Sequence, residues 1–398
     1  MEKGLRSKFW TIVFLTLIWV IADNVLEFVF PTHLESIGKS YLLIGLFLSL
    51  PAIIGLAIDL PLGNLSDTWS RKKLMIIGLV LSPIFAIMIF IFKSNLLLLL
   101  LFLLWGLGFQ IWTVPRSAYF ARLTAREKRS QQYGTDIQFF YIGETVGPLI
   151  AGVLLSSLGE ISNVAFYVSM CLIAALLIAL LVKDGKDHGG PFSRKLWRSE
   201  KSVAKDLRLL KSSAGGYVYS LLGITVLFTS LAGAVYALEP LFYSSYKLSP
   251  VVGGIILASF YLPAIFLGAP FGKLADRYGK KPMLLAGLLI AGISLVAFGL
   301  STNMLMLIAF AALNSVGIIL SRPALSGLVV DLAYKHRKGE FAGIWSLFSD
   351  LGFVIGPILA GVLAQFSSIG GAFIVFGGIT LLLAAVLALV RKRPYEFL

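Results

Sequence analysis

Charge is what this sequence has least of. Asp, Glu, Lys and Arg make up 14% of its 398 residues, whereas a soluble domain carries about 25%. Cysteine is nearly absent: Cys171 is the single one and lies inside an apolar run, which excludes a disulfide or a thiolate metal centre. The three histidines, His33, His188 and His336, fall in different polar junctions, so no metal site is expected. Also missing is any Gly-rich phosphate loop ending in Lys and Ser or Thr, so nucleotide hydrolysis is not expected, nor any cofactor. What the chain has instead is apolar surface, 58% of its residues, with a mean hydropathy of +0.89. No water-soluble core hides that much, and the chain reads as an integral membrane protein.

A membrane-spanning helix needs about 20 apolar residues. Twelve such runs are present, at about 9–31, 41–62, 74–92, 97–120, 134–157, 164–182, 215–239, 250–271, 283–301, 303–328, 340–365 and 370–390. They are long and continuous, unlike the ten-residue alternation of a membrane barrel, so the expected class is all-α with twelve transmembrane helices. No small-residue cleavage site follows the first run, which is read as the first span. The net charge of +14 invites a nucleic-acid reading, but its distribution decides against one. Only Lys39, Lys93 and Lys247 fall on one side of the twelve-span topology, and the remaining basic residues fall on the other. That is the positive-inside bias, and it puts both termini in the cytosol of a multi-pass protein of the plasma membrane.

The longest polar segment, residues 183–214, is basic and contains Gly189-Gly190-Pro191. It reads as a cytosolic linker, with a short surface helix at 193–211 lying on the lipid surface. It separates residues 1–182 from residues 215–398, and these two units repeat one another at an offset of 209. Pro31 matches Pro240, Gly45 matches Gly254, Pro61 matches Pro270 and Gly108 matches Gly317. Gly143, Gly147, Pro148 and Gly152 match Gly352, Gly356, Pro357 and Gly361. Internal repeats of this kind build many transporters, with the binding site at the bilayer midplane where the repeats meet. The expectation is two pseudo-symmetric six-helix bundles.

One repeated element is a charged turn, GKLADRYGKKP from Gly272 and GNLSDTWSRKKL from Gly63. It resembles the signature Gly-x-Leu-Ala-Asp-Arg-x-Gly-Arg-Lys of the major facilitator superfamily. Gly272, Asp276 and Arg277 fit it, as do Gly63, Asp67 and Arg71, while Thr68 and Ser70 replace Arg and Gly in the first copy. The resemblance covers nearly the whole chain and implies a secondary active transporter rather than an enzyme. Asp67 lies at the C-terminal end of its helix, where the helix dipole disfavours an anion. A partner is therefore expected at the start of the eleventh helix near Glu340, and for Asp276 at the start of the fifth near Tyr133. In the family such contacts latch the cytosolic side shut.

The stretch GTDIQFFYIGETVGPLIAG, residues 134–152, resembles the fifth-helix motif of the drug:proton antiporter branch, with Ala151 the one departure. That implies proton-coupled efflux of small amphipathic or drug-like molecules. The arginine that such antiporters carry on the fourth helix is missing, for Phe102 stands in its place. Arg116 lies about 21 Å further along and cannot substitute for it. Charges inside spans mark sites, because burying them in lipid is costly. Asp23, Glu144 and Asp350 are the candidates for proton exchange near neutral pH and for attracting a cation, with Glu27 on the same helical face as Asp23. Trp112, Tyr141 and Tyr236 are candidate aromatic contacts for a flat apolar cation. Arg116 and Asp136 stand at similar depth and are read as a structural ion pair, with Asp59 a competing partner. Glu239 and Arg322 have no assigned role. The alternative activity is proton-coupled transport of one metabolite, a sugar or an organic acid. A receptor or an intramembrane enzyme is the distant alternative. The expected partners are a small-molecule substrate, protons and the bilayer, with the protein a monomer.

Overall fold

The computed structural model describes residues 2–124, 129–182, 217–335 and 338–389. The expected surface helix at 193–211 and most of the linker lie outside them. Among the described residues the chain is all helix. The first six helices are α1 Glu2–Ser36, α2 Tyr41–Thr68, α3 Arg71–Ile91, α4 Asn95–Leu123, α5 Arg129–Leu158 and α6 Glu160–Leu181. The second six are α7 Tyr217–Ser245, α8 Pro250–Tyr278, α9 Lys280–Leu300, α10 Met304–Lys335, α11 Lys338–Phe366 and α12 Ile369–Leu389. Twelve helices are long and apolar enough to cross a bilayer, as the sequence predicts. The shortest, of 21 residues, reach about 31 Å at 1.5 Å per residue, which matches a hydrocarbon core of about 30 Å.

Packing follows the repeat. In the first half α1 lies on α5 and α6, α2 on α4, and α3 on α4 and α6; in the second, α7 lies on α11 and α12, α8 on α10, and α9 on α10 and α12. Each pairing is the other advanced by six helices. The halves meet along α2 with α11, α5 with α8, and α1 with α7. Lipid tails are as apolar as the side chains, so helices associate in a membrane through close contact, which small residues permit.

The fifth-helix motif supplies such contacts. A Cβ on Gly143 or Gly147 would run into Val20, Ile21 and Asn24 of α1, and one on Gly152 into the backbone of Pro250 on α8. The mirrored residues do the same. Gly352 and Gly356 lie against α7, and Gly361 against the backbone of Tyr41. Gly254 and Gly45 complete the pattern, facing the carbonyls of Pro148 and Pro357 respectively. The contacts between the halves, at Gly45, Gly152, Gly254 and Gly361, lie toward the end of the molecule away from the chain termini. Also at that far end, Ser244 Oγ donates to Glu35 at 2.7 Å, the Tyr41 amide donates to Gln365 at 3.1 Å, and Phe28 stacks on Tyr243. Far-end closure is therefore built mainly from backbone contacts plus one carboxylate.

At the end that carries the termini, the two charged turns differ. Gly279 closes α8 with φ +94°, a conformation that favours glycine. Its counterpart Ser70 has φ −64° and caps α3 instead, its hydroxyl accepting from the Lys73 amide. That is the local reason why the first copy tolerates Ser. Asp67 pairs with Arg71 of its own turn. The side chains at the start of α11 lie outside the described residues, so the expected Asp67 partner there does too. Asp276 is exposed, and Tyr133 at the start of α5 packs on Phe120. Asp276 makes no ion pair among the described residues.

Candidate functional site

Polar side chains from both halves converge between the two ends. α1 contributes Asp23, Asn24 and Glu27; α5 contributes Tyr141 and Glu144; α7, α8 and α10 add Tyr236 with Glu239, Tyr261 and Arg322. Asp23, Asn24 and Glu239 are buried, at 4%, 5% and 3% exposure. Glu27 lies close enough to Asp23, Glu144 and Glu239 for their charges to act on it, and Arg322 is the charge partner of Glu144. Arg322 Nη1 donates to the Tyr141 hydroxyl at 2.9 Å, joining α10 to α5 across the two halves. A small recess lies among Asn24, Glu27, Tyr236, Glu239, Leu257 and Tyr261.

Three prolines shape this region. Pro31, Pro148 and Pro240 lie inside α1, α5 and α7. Proline has no N–H to return to the residue four places earlier. Those residues are Glu27, Glu144 and Tyr236. Each of the three side chains thus belongs to a residue whose carbonyl has lost its regular helical donor.

The sequence-predicted residues divide into those gathered here and those placed elsewhere. Glu27, Glu144, Tyr141 and Tyr236 come together. Asp23 lies behind them, facing Tyr167 and Cys171 of α6 as well as Tyr236, with its Oδ1 lacking a hydrogen-bond partner. Asp350 does not join them. It acts on Asp59 across the α2–α11 contact, forming a second acidic pair away from the main group. Its mid-span position indicated depth, but not which way the side chain faces.

Trp112 is also displaced from expectation. It is fully buried against Trp19 and the backbone of Gly78, inside the first half. An aromatic periodicity cannot distinguish a cavity wall from a packed interior. Arg116 and Asp136 form the expected ion pair, with Arg116 Nε donating to Thr16 at 2.9 Å, and Asp59 takes no part. Glu239, Tyr261 and Arg322 complete the site, although sequence reasoning gave them no role. The offset of 209 already pointed near the first, since Tyr236 matches Glu27 and Glu239 directly precedes the matched Pro240.

Comparison with known proteins agrees with the fold. The family model described as Major Facilitator Superfamily matches residues 12–234 and again 220–397. An uncharacterised MFS-type transporter of Methanocaldococcus jannaschii is 22% identical over 366 residues, covering 92% of each chain. Multidrug resistance protein 1 of Bacillus subtilis is 27% identical over 179 residues, 44% of this chain and 46% of that one. Among solved structures, a nucleoside transporter superposes with a TM-score of 0.73 at 14% identity, over 96% of this chain and 98% of that one.

Proposed function

The chain belongs to the major facilitator superfamily and is a multi-pass membrane transporter; on that premise we propose that it exports small amphipathic, drug-like molecules in exchange for protons, by alternating access. The observation that carries this reading is the meeting of Glu27, Glu144 and Glu239 from both halves beside a single counter-charge, Arg322. Carboxylates held inside a membrane normally mark an ion or proton path. The likeness to a multidrug resistance protein over part of the chain supports efflux.

In this reading residues 1–182 and 215–398 are the rocking units, joined by the linker 183–214. Both termini face the cytosol of a plasma membrane, so the far end faces outward and stands closed here. Asp67 and Asp276 engage the opposite unit only when the cytosolic end shuts, which accords with Asp67 turning back to Arg71 in the present conformation. Asp23 and Glu144 carry the coupling proton, and a monomer suffices for the cycle.

The test is transport of a cationic dye by the full chain in proteoliposomes under an imposed proton gradient, comparing wild type with Glu144→Gln and Asp23→Asn. The reading expects gradient-driven movement that both substitutions abolish or sharply reduce. Unchanged movement in both variants would sink the coupling assignment. A second reading, proton-coupled carriage of an organic acid, is favoured by Arg322, a cation exposed beside Tyr141 at the junction of the halves. Labelled organic acids in the same vesicles decide between the two.

A further inference from the structure

The small recess at Glu27 and Glu239 lies directly beneath the far-end contacts. Glu27 precedes Phe28, which stacks on Tyr243, and Tyr243 is one helical turn beyond Glu239. Pro148, whose carbonyl faces Gly254 across the α5–α8 seam, forms another wall. The recess is therefore enclosed by α1, α5, α7 and α8, helices whose contact shuts the far end. It has room for about one water molecule.

Two carboxyl groups from opposite halves line that space. Glu239 of α7 is 3% exposed, and its Oε1 has no hydrogen-bond partner among the described residues. The charges acting on Glu27 of α1 are those of Asp23, Glu144 and Glu239, all of one sign. Glu144 acts on Glu239 as well. Tyr236 of α7 and Tyr261 of α8 face the same acids, and Tyr167 and Cys171 of α6 face Asp23. The nearby cation, Arg322 of α10, is the counter-charge of Glu144.

Two ionised carboxylates separated by one water repel strongly where little other water screens them. Acids that share such a site keep a proton between them. One water suits the arrangement, since it can accept from a protonated carboxyl group and donate to an ionised one. We infer that the recess holds one ordered water through which Glu27 and Glu239 share a proton, and that this shared proton latches the far end shut. When α1 and α7 part, both carboxyl groups meet solvent, the proton leaves to the far-side water, and both acids ionise. Closure takes one proton back. Because Glu239 is buried while the far end is shut, this proton exchanges with the far side and is not carried across. It is distinct from the proton coupled at Glu144. The latch rests on the alternating access of the transport reading, but on neither its substrate nor its coupling acids.

The sign of the effect follows from the proton count. The closed state binds one proton more than the open state, so rising pH favours opening. Far-end opening is read from spin labels at Ser40 and Ser367 in the purified full chain in detergent, over a pH series without substrate or gradient. The open-to-closed ratio should rise about tenfold per pH unit where the pair titrates. Glu27→Gln and Glu239→Gln should each flatten that slope, whereas Glu144→Gln should keep it. Infrared spectra of the same samples read the proton and the water directly. Either substitution should remove one protonated-carboxyl band and one bound-water band that shifts in heavy-oxygen water. The double variant should remove no more than either single one, because the proton is shared. If Glu239→Gln is not monodisperse, Glu27→Gln alone carries the test. A wild type whose far end ignores pH overturns the proposal, as does an unchanged slope or an unchanged carboxyl band in a folded Glu27 or Glu239 variant. The outcome separates from that of the transport experiment. A slope that depends on Glu27 and Glu239, without gradient-driven export, leaves the latch standing and removes the antiport reading. Export that proceeds while these substitutions leave the slope untouched does the reverse.

Discussion

Placing a methyl group on Gly45 tests whether the far end is closed by backbone contact. A Cβ built there would lie 3.0 Å from the carbonyl carbon of Pro357 and 3.2 Å from the Cα of Gly361, with the Pro357 oxygen nearer still. Ordinary carbon contacts are about 3.5–4.0 Å. Each of these obstacles is backbone, so no side chain can swing aside, and α2 must move off α11. Overpacking of this kind costs about 1–3 kcal/mol. The contact exists only while the far end is closed, so the cost falls on that state and the balance shifts roughly 5- to 150-fold toward far-end opening. The readout is modification of Leu257→Cys, a buried position between the halves, by a membrane-impermeant maleimide added from the far side. Native Cys171 is buried and stays silent. Gly45→Ala should speed that labelling by a factor in this range. An unchanged or slower rate in a folded variant would refute the reasoning.

Three further outcomes are expected. Arg116→Ala should lower thermal stability in detergent by about 3–5 kcal/mol, because Asp136, 12% exposed at its side chain, is left as an unpaired buried charge; pairing Arg116→Ala with Asp136→Ala should recover much of the loss. Glu35→Gln weakens the acceptance from Ser244 and Tyr41, interactions of about 1.5–3 kcal/mol for a charged acceptor, and should speed far-end labelling of Leu257→Cys. Asp350→Asn should leave the dependence of transport on the proton gradient intact, since Asp350 faces Asp59 rather than the central acids; its loss would place α11 in the coupling path after all.

Much of the architecture could be read before any coordinates, and for a physical reason. Hydrocarbon admits helices only where every backbone group is satisfied within the segment, so twelve apolar runs leave little choice of fold. The offset of 209 then carried further than topology. It pairs Gly45 with Gly254 and Gly152 with Gly361, and these are the residues that meet Pro357, Pro148, Pro250 and Tyr41 at the two equivalent seams. Ser244 lies at the same offset from Glu35 and donates to it.

The site was legible in part. Depth along a helix can be counted from the sequence, which is why Glu27 and Glu144 stood out as acids within spans. Direction around the helix depends on which neighbour it packs against, and packing turns Asp350 toward Asp59 and Trp112 toward Trp19. Glu239 and Arg322 were visible as charges in spans, but their partners lie on other helices at large sequence separation. Only packing brings Arg322 to Tyr141, 181 residues away.

Reciprocal motion of the two ends is the claim on which the account stands. It is tested by spin-label distances in the reconstituted full chain, with one pair at Ser40 and Ser367 at the far end and another at Gln131 and Lys273 near the termini. When the gradient and a transported cation are supplied, the account predicts that the first distance lengthens as the second shortens. Both distances changing in the same sense, or neither changing while transport proceeds, would contradict it.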